Sequence, residues 1–368
     1  MASSVPASGR ARPRSKHDPG VEERRSRRMM MASQHSDGIV SRFADTPTIR
    51  EFNVSNHLLG DRAALEAAWE RDGYWFFRDV LDKDAVARVR ATYREVLEAL
   101  DVVEAGDPDQ TLYNGAALDD YPIKMGGDPT IDPLLARYPS GAFLAEPPIR
   151  HFFEQVFGDE VMWVPNSEFH AVPPNPAHQG SRFNFVHCDG ANNKGLALRI
   201  CWIPLSDIDE ETGGLALAEG MHKPRMNDFP RPAQGIRESD VPVDAWRRAI
   251  YAPGDVLMFS LETPHSGLAN RSDKYFRLSM DVRGMPKSAN IPVVGHVAAI
   301  DHNAIAVDAD DGQHHVFRID DDTFCRIYRG RQSGMPLTRD EIPQLVHVGA
   351  PVYVAADHGT AVFIRPSH

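Results

Sequence analysis

Cysteine is scarce in this chain, and long apolar runs and an excess of basic residues are missing. Only three of the 368 residues are cysteines (Cys188, Cys201 and Cys325), and there is no CxxC pair. This content excludes a disulfide framework and fits a reducing cytoplasm. No apolar run approaches the roughly 20 residues that a membrane-spanning helix needs. The formal net charge of −12 argues against nucleic acid as the main partner.

The beginning of the chain differs in composition from the rest. Residues 1–28 contain eight Lys and Arg residues against three acidic ones, and almost no large apolar residues. We therefore expect a disordered basic tail over residues 1–40. The pairs Arg24-Arg25 and Arg27-Arg28 suggest an export signal, but no apolar segment follows them, which argues against that interpretation. We expect a cytoplasmic protein.

Helical periodicity gives way to strand-like segments along the chain. Apolar residues recur at three- and four-residue spacing over 61–73 and 84–100, and a third helix is expected to begin at Pro147. Six segments are typical of strands: 161–170, 183–189, 196–204, 214–218, 255–260 and 275–283. Helices followed by strands predict an α+β domain over residues 41–290, with a β-sandwich or jelly roll at its centre.

Two segments of this domain lack a regular period. Residues 101–140 are rich in Asp, Gly and Pro, and residues 222–245 contain four prolines and many charges. Long segments of this kind inside a compact domain usually cover a site or move. We expect them to form the rim of a substrate pocket. Outside these segments, the cationic candidates for binding an anionic substrate group are Arg182, Lys194 and Arg199.

The last part of the chain predicts a small separate β domain over residues 291–368. Short β-type runs are broken there by Asp and Gly turns: 293–299, 304–307, 315–319, 351–355 and 360–364. Seven histidines lie beyond residue 290, with His314 and His315 adjacent. A second metal site is one interpretation, and scattered surface histidines are the other. We expect the domain to mediate a homodimer or to cap an active site.

The most informative pattern is His187-Cys188-Asp189 with a later histidine. On an extended strand, side chains at i and i+2 point to the same face, so His187 and Asp189 could hold one metal ion. His265 lies 76 residues beyond Asp189 and could supply the third ligand. Two histidines and one carboxylate form the facial triad of non-haem Fe(II) oxygenases. The alternative is a purely structural role, in which the two histidines are hydrogen-bonded core residues and Asp189 caps a turn.

An arginine follows the second histidine at a short spacing. Arg277 lies twelve residues beyond His265, in Arg277-Leu278-Ser279, so Arg277 and Ser279 share one face of a strand. A guanidinium is the planar donor that a dicarboxylate cosubstrate such as 2-oxoglutarate needs.

With these residues in order, the chain resembles the phytanoyl-CoA dioxygenase family of Fe(II)/2-oxoglutarate oxygenases over residues 61–285. The matching pieces are Gly73-Tyr74, His187-Cys188-Asp189, Trp202-Ile203-Pro204-Leu205, Glu211-Thr212-Gly213-Gly214-Leu215, Glu219-Gly220-Met221-His222, Gly254-Asp255, His265-Ser266, Asn270-Arg271-Ser272-Asp273 and Arg277-Leu278-Ser279. The chain departs from the family where a cosubstrate-contacting threonine is replaced by Leu215, and where Pro-Gly-Ser-His becomes Glu219-Gly220-Met221-His222.

The resemblance implies a fold and a set of roles. The fold is a double-stranded β-helix, a cupin-like jelly roll, with N-terminal helices in front of it. By the same resemblance, His187, Asp189 and His265 bind iron. Cosubstrate contacts are implied for four residues: Arg277 and Ser279 at the distal carboxylate of 2-oxoglutarate, Asn184 at its other end, and Trp202 as a pocket wall. Trp202 packs a core equally well.

The function expected from the residues and the resemblance together is that of a dioxygenase using Fe(II), 2-oxoglutarate and O₂. It would hydroxylate, or otherwise oxidise (for example by desaturation), an unactivated C–H of a small molecule in secondary metabolism. Because related halogenases replace the carboxylate ligand by a small residue, Asp189 favours oxygen transfer or desaturation over halogenation. Two alternatives stay open: a cupin-type metal enzyme without a cosubstrate, and an assembly protein acting through the C-terminal β domain. No nucleic-acid or membrane partner is expected.

Overall fold

The structure is a computed structural model, and the residues it describes are 50–104, 106, 111–118, 121, 130–164, 168–174, 186–192, 198–222, 236, 240–289, 292–325, 328–329, 332–333 and 337–366. The predicted tail over residues 1–40 lies outside these residues, and so do Asn184, Arg182 and Lys194. Within the described ranges, no helix is long and apolar enough to cross a membrane.

Helices dominate the first part of the described chain and strands the rest. The α-helices are α1 (Arg62–Asp72), α2 (Lys83–Ala99), α3 (Asp132–Leu135), α4 (Ser140–Ala145), α5 (Pro147–Phe157) and α6 (Ile342–Leu345). The strands are β1 (Arg50–Glu51), β2 (Tyr74–Phe77), β3 (Val161–Trp163), β4 (Glu168–Val172), β5 (Arg199–Pro204), β6 (Gly214–Ala218), β7 (Trp246–Arg248), β8 (Val256–Ser260), β9 (His265–Leu268), β10 (Arg277–Pro286), β11 (Val293–Ile300), β12 (Ala304–Ala309), β13 (His314–Arg318), β14 (Phe324–Cys325), β15 (Tyr328–Arg329), β16 (Gln332–Ser333), β17 (Pro351–Asp357) and β18 (Thr360–Pro366).

Two facing sheets form the core of the first 290 residues. The larger sheet has the order β2-β8-β5-β10-β3, with β4 also pairing with β10, and the smaller sheet has the order β1-β7-β6-β9. Apolar side chains from both sheets, including Trp202 and Leu217, form one buried cluster between them. This two-sheet core preceded by helices is the double-stranded β-helix of an α+β protein, as predicted.

The helices cover the outer face of the larger sheet. Asp61 and Asp82 cap the first turns of α1 and α2, because each carboxylate accepts a hydrogen bond from the backbone N–H three residues later. Gly73 ends α1 at a φ of 79°, a left-handed conformation that glycine adopts at little cost. The apolar faces of α1, α2, α4 and α5 then pack into one cluster with the outward side chains of β2, β5, β8 and β10.

Strand β10 has two chemically different faces. Its even-numbered residues Leu278, Met280 and Val282 belong to the apolar cluster under the helices. Its odd-numbered residues from 277 to 283 are polar and, at 0 to 8% exposure, buried. Since successive side chains of a strand point to opposite faces, these polar residues face the space between the two sheets.

The C-terminal strands close into a small barrel. The order β13-β12-β11-β17-β18 returns to β13 through a second pairing between β13 and β18, and β14 adds to β18. Its interior is apolar and includes Val297, Ile305 and Val354. Two other barrel residues, Tyr353 and Phe363, belong instead to the cluster between the jelly-roll sheets. The barrel thus has its own core and also packs against the jelly roll.

Most of the predicted elements are present, with two corrections. The three predicted helices and the five predicted C-terminal strands match α1, α2, α5 and β11, β12, β13, β17 and β18. The predicted strand 183–189 is wrong where it is described, because His187 forms only an isolated bridge and residues Asp189–Asn192 form a 3-10 turn. Strand β9 is absent from the predicted strands, since it is only four residues long and contains Ser266 and Gly267.

Candidate active site

The backbone brings the two histidines of the predicted triad together. His187 and His265 face each other across an isolated antiparallel bridge, with N–H to O distances of 3.0 and 2.9 Å in the two directions. Their ring centroids lie 4.1 Å apart. The two reciprocal backbone hydrogen bonds hold the two histidine rings close to each other.

One nitrogen of His265 is committed to the backbone. Its Nδ1 lies 2.9 Å from the carbonyl oxygen of Thr263, and a carbonyl can only accept, so Nδ1 carries the proton. The lone pair is therefore on Nε2, the arrangement that metal-binding histidines adopt. Burial, with the neighbouring His187, lowers the pKa of His265 to about 3, which keeps the ring neutral at physiological pH.

Asp189 completes the group at the start of the 3-10 turn. Its Oδ1 lies 3.6 Å from Nε2 of His187, and one ligand atom from each of His187, Asp189 and His265 falls within a 4.8 Å span. Burial by itself would raise the pKa of Asp189, but Arg283 and then the two histidines outweigh it and hold the pKa below its ordinary value. The His187 ring, the neutral imidazole of His265 and the ionised carboxylate of Asp189 form a donor set suited to a divalent metal ion.

Cys188 points away from this group. Its side chain belongs to the apolar cluster on the other side of the smaller sheet, with Ala216, Ala218 and Trp246. Burial raises the pKa of the Cys188 thiol well above its usual value, so the thiol stays protonated and its packing role is structural.

Arg277 and Ser279 lie side by side on the inner face of β10, as the spacing predicted. One terminal nitrogen of Arg277 donates to the carbonyls of Gly214 and Leu268, at 2.6 and 3.1 Å. Burial lowers the pKa of Arg277 to about 10, so the guanidinium is charged at neutral pH. Within the described ranges, Nε of Arg277 and Oγ of Ser279 are buried without a hydrogen-bond partner.

Trp202 is on the same inner face, one strand away. It pairs in register with Asp281 across β5 and β10 and packs edge-on against Tyr251 at a centroid distance of 4.8 Å. Its position is compatible with both interpretations, a pocket wall and a core residue. Leu215, at the position of the family threonine, is buried in the same cluster and offers no hydrogen bond.

Three residues of the site were missed by the sequence reasoning. Arg283 donates to Oδ2 of Asp189 at 3.1 Å and forms an ion pair with Asp281 at 3.2 Å. The other oxygen of Asp281 lies 3.2 Å from Nε2 of His170 on β4. A signal was present, because Arg277, Ser279, Asp281 and Arg283 alternate with apolar residues and must share one face of the strand.

Arg199, a suggested contact for an anionic substrate, lies on the wrong side of the larger sheet. It pairs with Glu66 at 2.9 Å and stacks over Trp69 and Trp75 at 4.5 and 4.4 Å from the ring centroids. These partners are under the helices, so Arg199 anchors α1 to the sheet.

The other histidines that drew attention do not form a second metal centre in the part of the chain that the structure describes, where the triad is the one group found. His222 packs against Gly73, where an added Cβ would lie 2.3 Å from its Nδ1. In the barrel, His314 contacts Asp308 at 2.7 Å with both side chains more than half exposed. The interpretation of scattered surface histidines fits these positions.

Comparison with known proteins gives a family match over the jelly-roll part of the chain. A sequence model of the phytanoyl-CoA dioxygenase family matches residues 69–279, which is more than half of the chain. The 1-deoxypentalenic acid 11-beta-hydroxylase of Streptomyces arenae is 28% identical over 267 residues, covering 67% of this chain and 88% of the relative. The enzyme of the same name from Streptomyces exfoliatus is 27% identical over 273 residues, with the same coverage.

Solved structures show a more distant likeness. The non-heme alpha ketoglutarate dependent carbocyclase SnoK from nogalamycin biosynthesis is 20% identical, with a TM-score of 0.43, over 64% of this chain and 87% of that chain.

Proposed function

This chain belongs to the phytanoyl-CoA dioxygenase family, and from that premise we propose that it is an Fe(II)- and 2-oxoglutarate-dependent dioxygenase that hydroxylates a small molecule. The observation that carries the proposal is the joint placement of the His187, Asp189 and His265 donors with Arg277 between the two sheets. In the proposed assignment the three donors hold iron, and Arg277 and Ser279 hold the distal carboxylate of 2-oxoglutarate.

The residues present fit both groups. Two imidazoles and an ionised carboxylate match the donor preference of Fe(II). The guanidinium of Arg277 is buried at 4% exposure, and its partners among the described residues are the backbone carbonyls of Gly214 and Leu268. Its Nε and the Ser279 hydroxyl are unsatisfied there. Burying an unpaired charge costs several kcal/mol, so an anionic ligand that accepts from both groups accounts for their retention.

The role of the protein in the reaction follows from these positions. When bound, iron with 2-oxoglutarate and O₂ supplies the oxidising chemistry that converts an unactivated C–H into an alcohol. The chain orients the cosubstrate through Arg277 and keeps His265 in the correct tautomer through Thr263. Apolar neighbours such as Phe259, 4.8 Å from His265, exclude water from one side of the site. The presence of Asp189, where related halogenases have a small residue, favours oxygen transfer or desaturation over halogenation.

The substrate class is proposed at the coarse level. Relatives named for hydroxylation of 1-deoxypentalenic acid support an enzyme of secondary metabolism that acts on a small, largely apolar molecule. A cytoplasmic location, a homodimer and the lack of nucleic-acid or membrane partners belong to the same proposal. Asn184 and Trp202 are proposed as further cosubstrate contacts.

The experiment that tests the proposal is Fe(II)-dependent succinate formation from 2-oxoglutarate across a panel of terpenoid and polyketide acids. Arg277→Leu removes the cosubstrate clamp, and we expect the KM for 2-oxoglutarate to rise about 100-fold, since truncating one partner of a buried charge pair costs 2–5 kcal/mol. Arg199→Leu is the matched control, because it removes a partly buried arginine from the opposite face of the same sheet.

The outcomes separate the alternatives. Substrate oxidation that needs no added 2-oxoglutarate and is unchanged in Arg277→Leu would identify a metal enzyme without a cosubstrate. Absence of Fe(II)-dependent succinate from the wild-type protein under every condition would remove the proposal altogether.

We also propose that the chain divides near residue 290 into the oxygenase domain, 41–290, and the β domain, 291–368. Supporting this, the barrel has its own apolar core, and the family match ends at residue 279. Because Tyr353, Ala355 and Phe363 share the jelly-roll cluster, we favour a capping role for the β domain over a role in assembly.

A further inference from the structure

Arg283 directly contacts the carboxylate of the triad, with a terminal nitrogen 3.1 Å from Oδ2 of Asp189. Resting on the proposed function, we propose that Arg283 restricts Asp189 to a single metal-binding oxygen and thereby sets the number of open positions on the metal ion. Arg283 acts through Asp189, so it is a positioning residue.

The two oxygens of Asp189 have different neighbours. Oδ1 faces the imidazole of His187 at 3.6 Å, inside the group of donor atoms. Oδ2 accepts a hydrogen bond from a terminal nitrogen of Arg283 at 3.1 Å. A carboxylate can bind a metal ion through one oxygen or two, and here the second oxygen is already engaged by a charge-assisted hydrogen bond.

Arg283 is itself held in place from the other side. Its second terminal nitrogen lies 3.2 Å from Oδ1 of Asp281, and Oδ2 of Asp281 lies 3.2 Å from His170. Arg283 is 7% exposed and Asp281 is 8% exposed, so water does not readily replace these contacts. If the guanidinium of Arg283 swung away from Asp189, it would also lose its ion pair with Asp281, and losing one partner of a buried ion pair is costly.

The consequence is a matter of coordination number. An octahedral ion has six positions, and two imidazoles with one carboxylate oxygen leave three of them open. The proposed reaction needs all three, two for 2-oxoglutarate and one for O₂. A two-oxygen Asp189 would leave only two open positions, so the cosubstrate would fill the ion and O₂ would have no position.

The test replaces Fe(II) by Mn(II), which takes the same kinds of ligand, and counts the positions on the ion that the protein leaves to water. It does not depend on enzyme turnover. Water bound to Mn(II) accelerates the relaxation of bulk water protons in proportion to the number of bound waters. We expect three waters on Mn(II) in the wild-type protein and two in Arg283→Gln, which releases Oδ2 of Asp189. Arg199→Gln is the matched control, because Arg199 is a partly buried arginine that pairs with a carboxylate on the other face of the sheet. This variant should keep three bound waters.

Affinity separates positioning from damage to the site. Loss of a positive charge and gain of an oxygen ligand both favour the cation, so Arg283→Gln should bind Mn(II) at least as tightly as wild type. Weaker binding with three waters would mean a merely structural role and would overturn the inference. If Arg283→Gln does not fold, the wild-type count still decides, because fewer than three waters contradicts the inference. A wild-type protein that binds neither Mn(II) nor Fe(II) would instead defeat the proposed function.

Discussion

The jelly roll and the C-terminal barrel are both closed β structures, but they bury opposite kinds of side chain. The barrel interior consists of apolar residues such as Val297, Ile305 and Ile364, and its histidines contact solvent. The jelly roll buries charged and polar side chains, and those on its inner face include Arg277, Asp281, Arg283 and His265. Since buried charges cost free energy unless they are paired or bind a ligand, the difference indicates which structure was retained for chemistry and which for packing.

The largest expected effect comes from removing the C-terminal barrel from the jelly roll. Deleting residues 292–368 exposes the apolar residues that Tyr353, Ala355 and Phe363 cover in the shared cluster, and we expect the remainder to aggregate. Soluble yield and size-exclusion chromatography provide the measurement. A soluble, monomeric remainder with unchanged succinate formation would instead assign the barrel to assembly and break the comparison.

A second prediction compares one histidine from each structure. His265→Ala removes a proposed ligand, and we expect Fe(II) affinity to fall by more than about 100-fold, beyond the 10–100-fold typical of outer-shell partners. His315→Ala in the barrel removes a ring that stacks on Phe317 and should leave the affinity unchanged. Anaerobic equilibrium dialysis of Fe(II) measures both. Equal losses in the two variants would contradict the assignment of the metal to the jelly roll.

A third prediction compares two interior substitutions. Ile305→Val in the barrel removes one buried methylene and should lower the free energy of unfolding by about 0.5–1.5 kcal/mol, with no change in 2-oxoglutarate affinity. Ser279→Ala removes a buried hydroxyl without a described hydrogen-bond partner, so it should cost little stability but weaken 2-oxoglutarate binding several-fold. Chemical denaturation and isothermal titration measure the two quantities. A Ser279→Ala variant with large loss of stability and intact binding would make Ser279 a packing residue.

The smallest expected effect is a pH dependence of the metal-free protein. Burial lowers the pKa of His265 to about 3 in the folded state, against about 6.5 in an unfolded chain. The unfolded state therefore binds more protons in this window, and stability is lost as the pH falls from 6.5 toward 3. His265→Gln should lose less stability than wild type between pH 6.5 and 4, measured by urea unfolding. Parallel curves for the two proteins would show that the folded ring titrates normally.

Local patterns were enough to predict much of the site. The facial triad and Arg277 were identified from residue type, order and spacing, and the structure places His187, Asp189 and His265 together. The three side chains lie together although the local premise was wrong, because His187 and Asp189 do not share a regular strand. A bridge to β9 and a 3-10 turn place them instead, and neither has a strong periodic signal over so few residues.

Other features depended on contacts that spacing does not encode. Arg199 and Arg283 both lie on strands of the larger sheet. Nothing in their immediate sequence indicates that Arg199 faces the helices and that Arg283 faces the His187, Asp189 and His265 group. The alternation of polar and apolar residues along β10 indicated that Arg283 shares a face with Arg277. Its partner Asp189 is 94 residues away, so their pairing required the fold.

The amino-acid order by itself determined the longer helices, the alternation of the strands, and the chemical types of the residues proposed as metal donors and as the cosubstrate-binding arginine. These are properties of neighbouring residues, whose periodicity and capping act over a few positions. Only the tertiary structure decided which oxygen of Asp189 lies beside His187 and which oxygen bonds to Arg283. It also decided how the barrel packs against the jelly roll. Those outcomes depend on distances between segments that the chain brings together by burying its apolar faces.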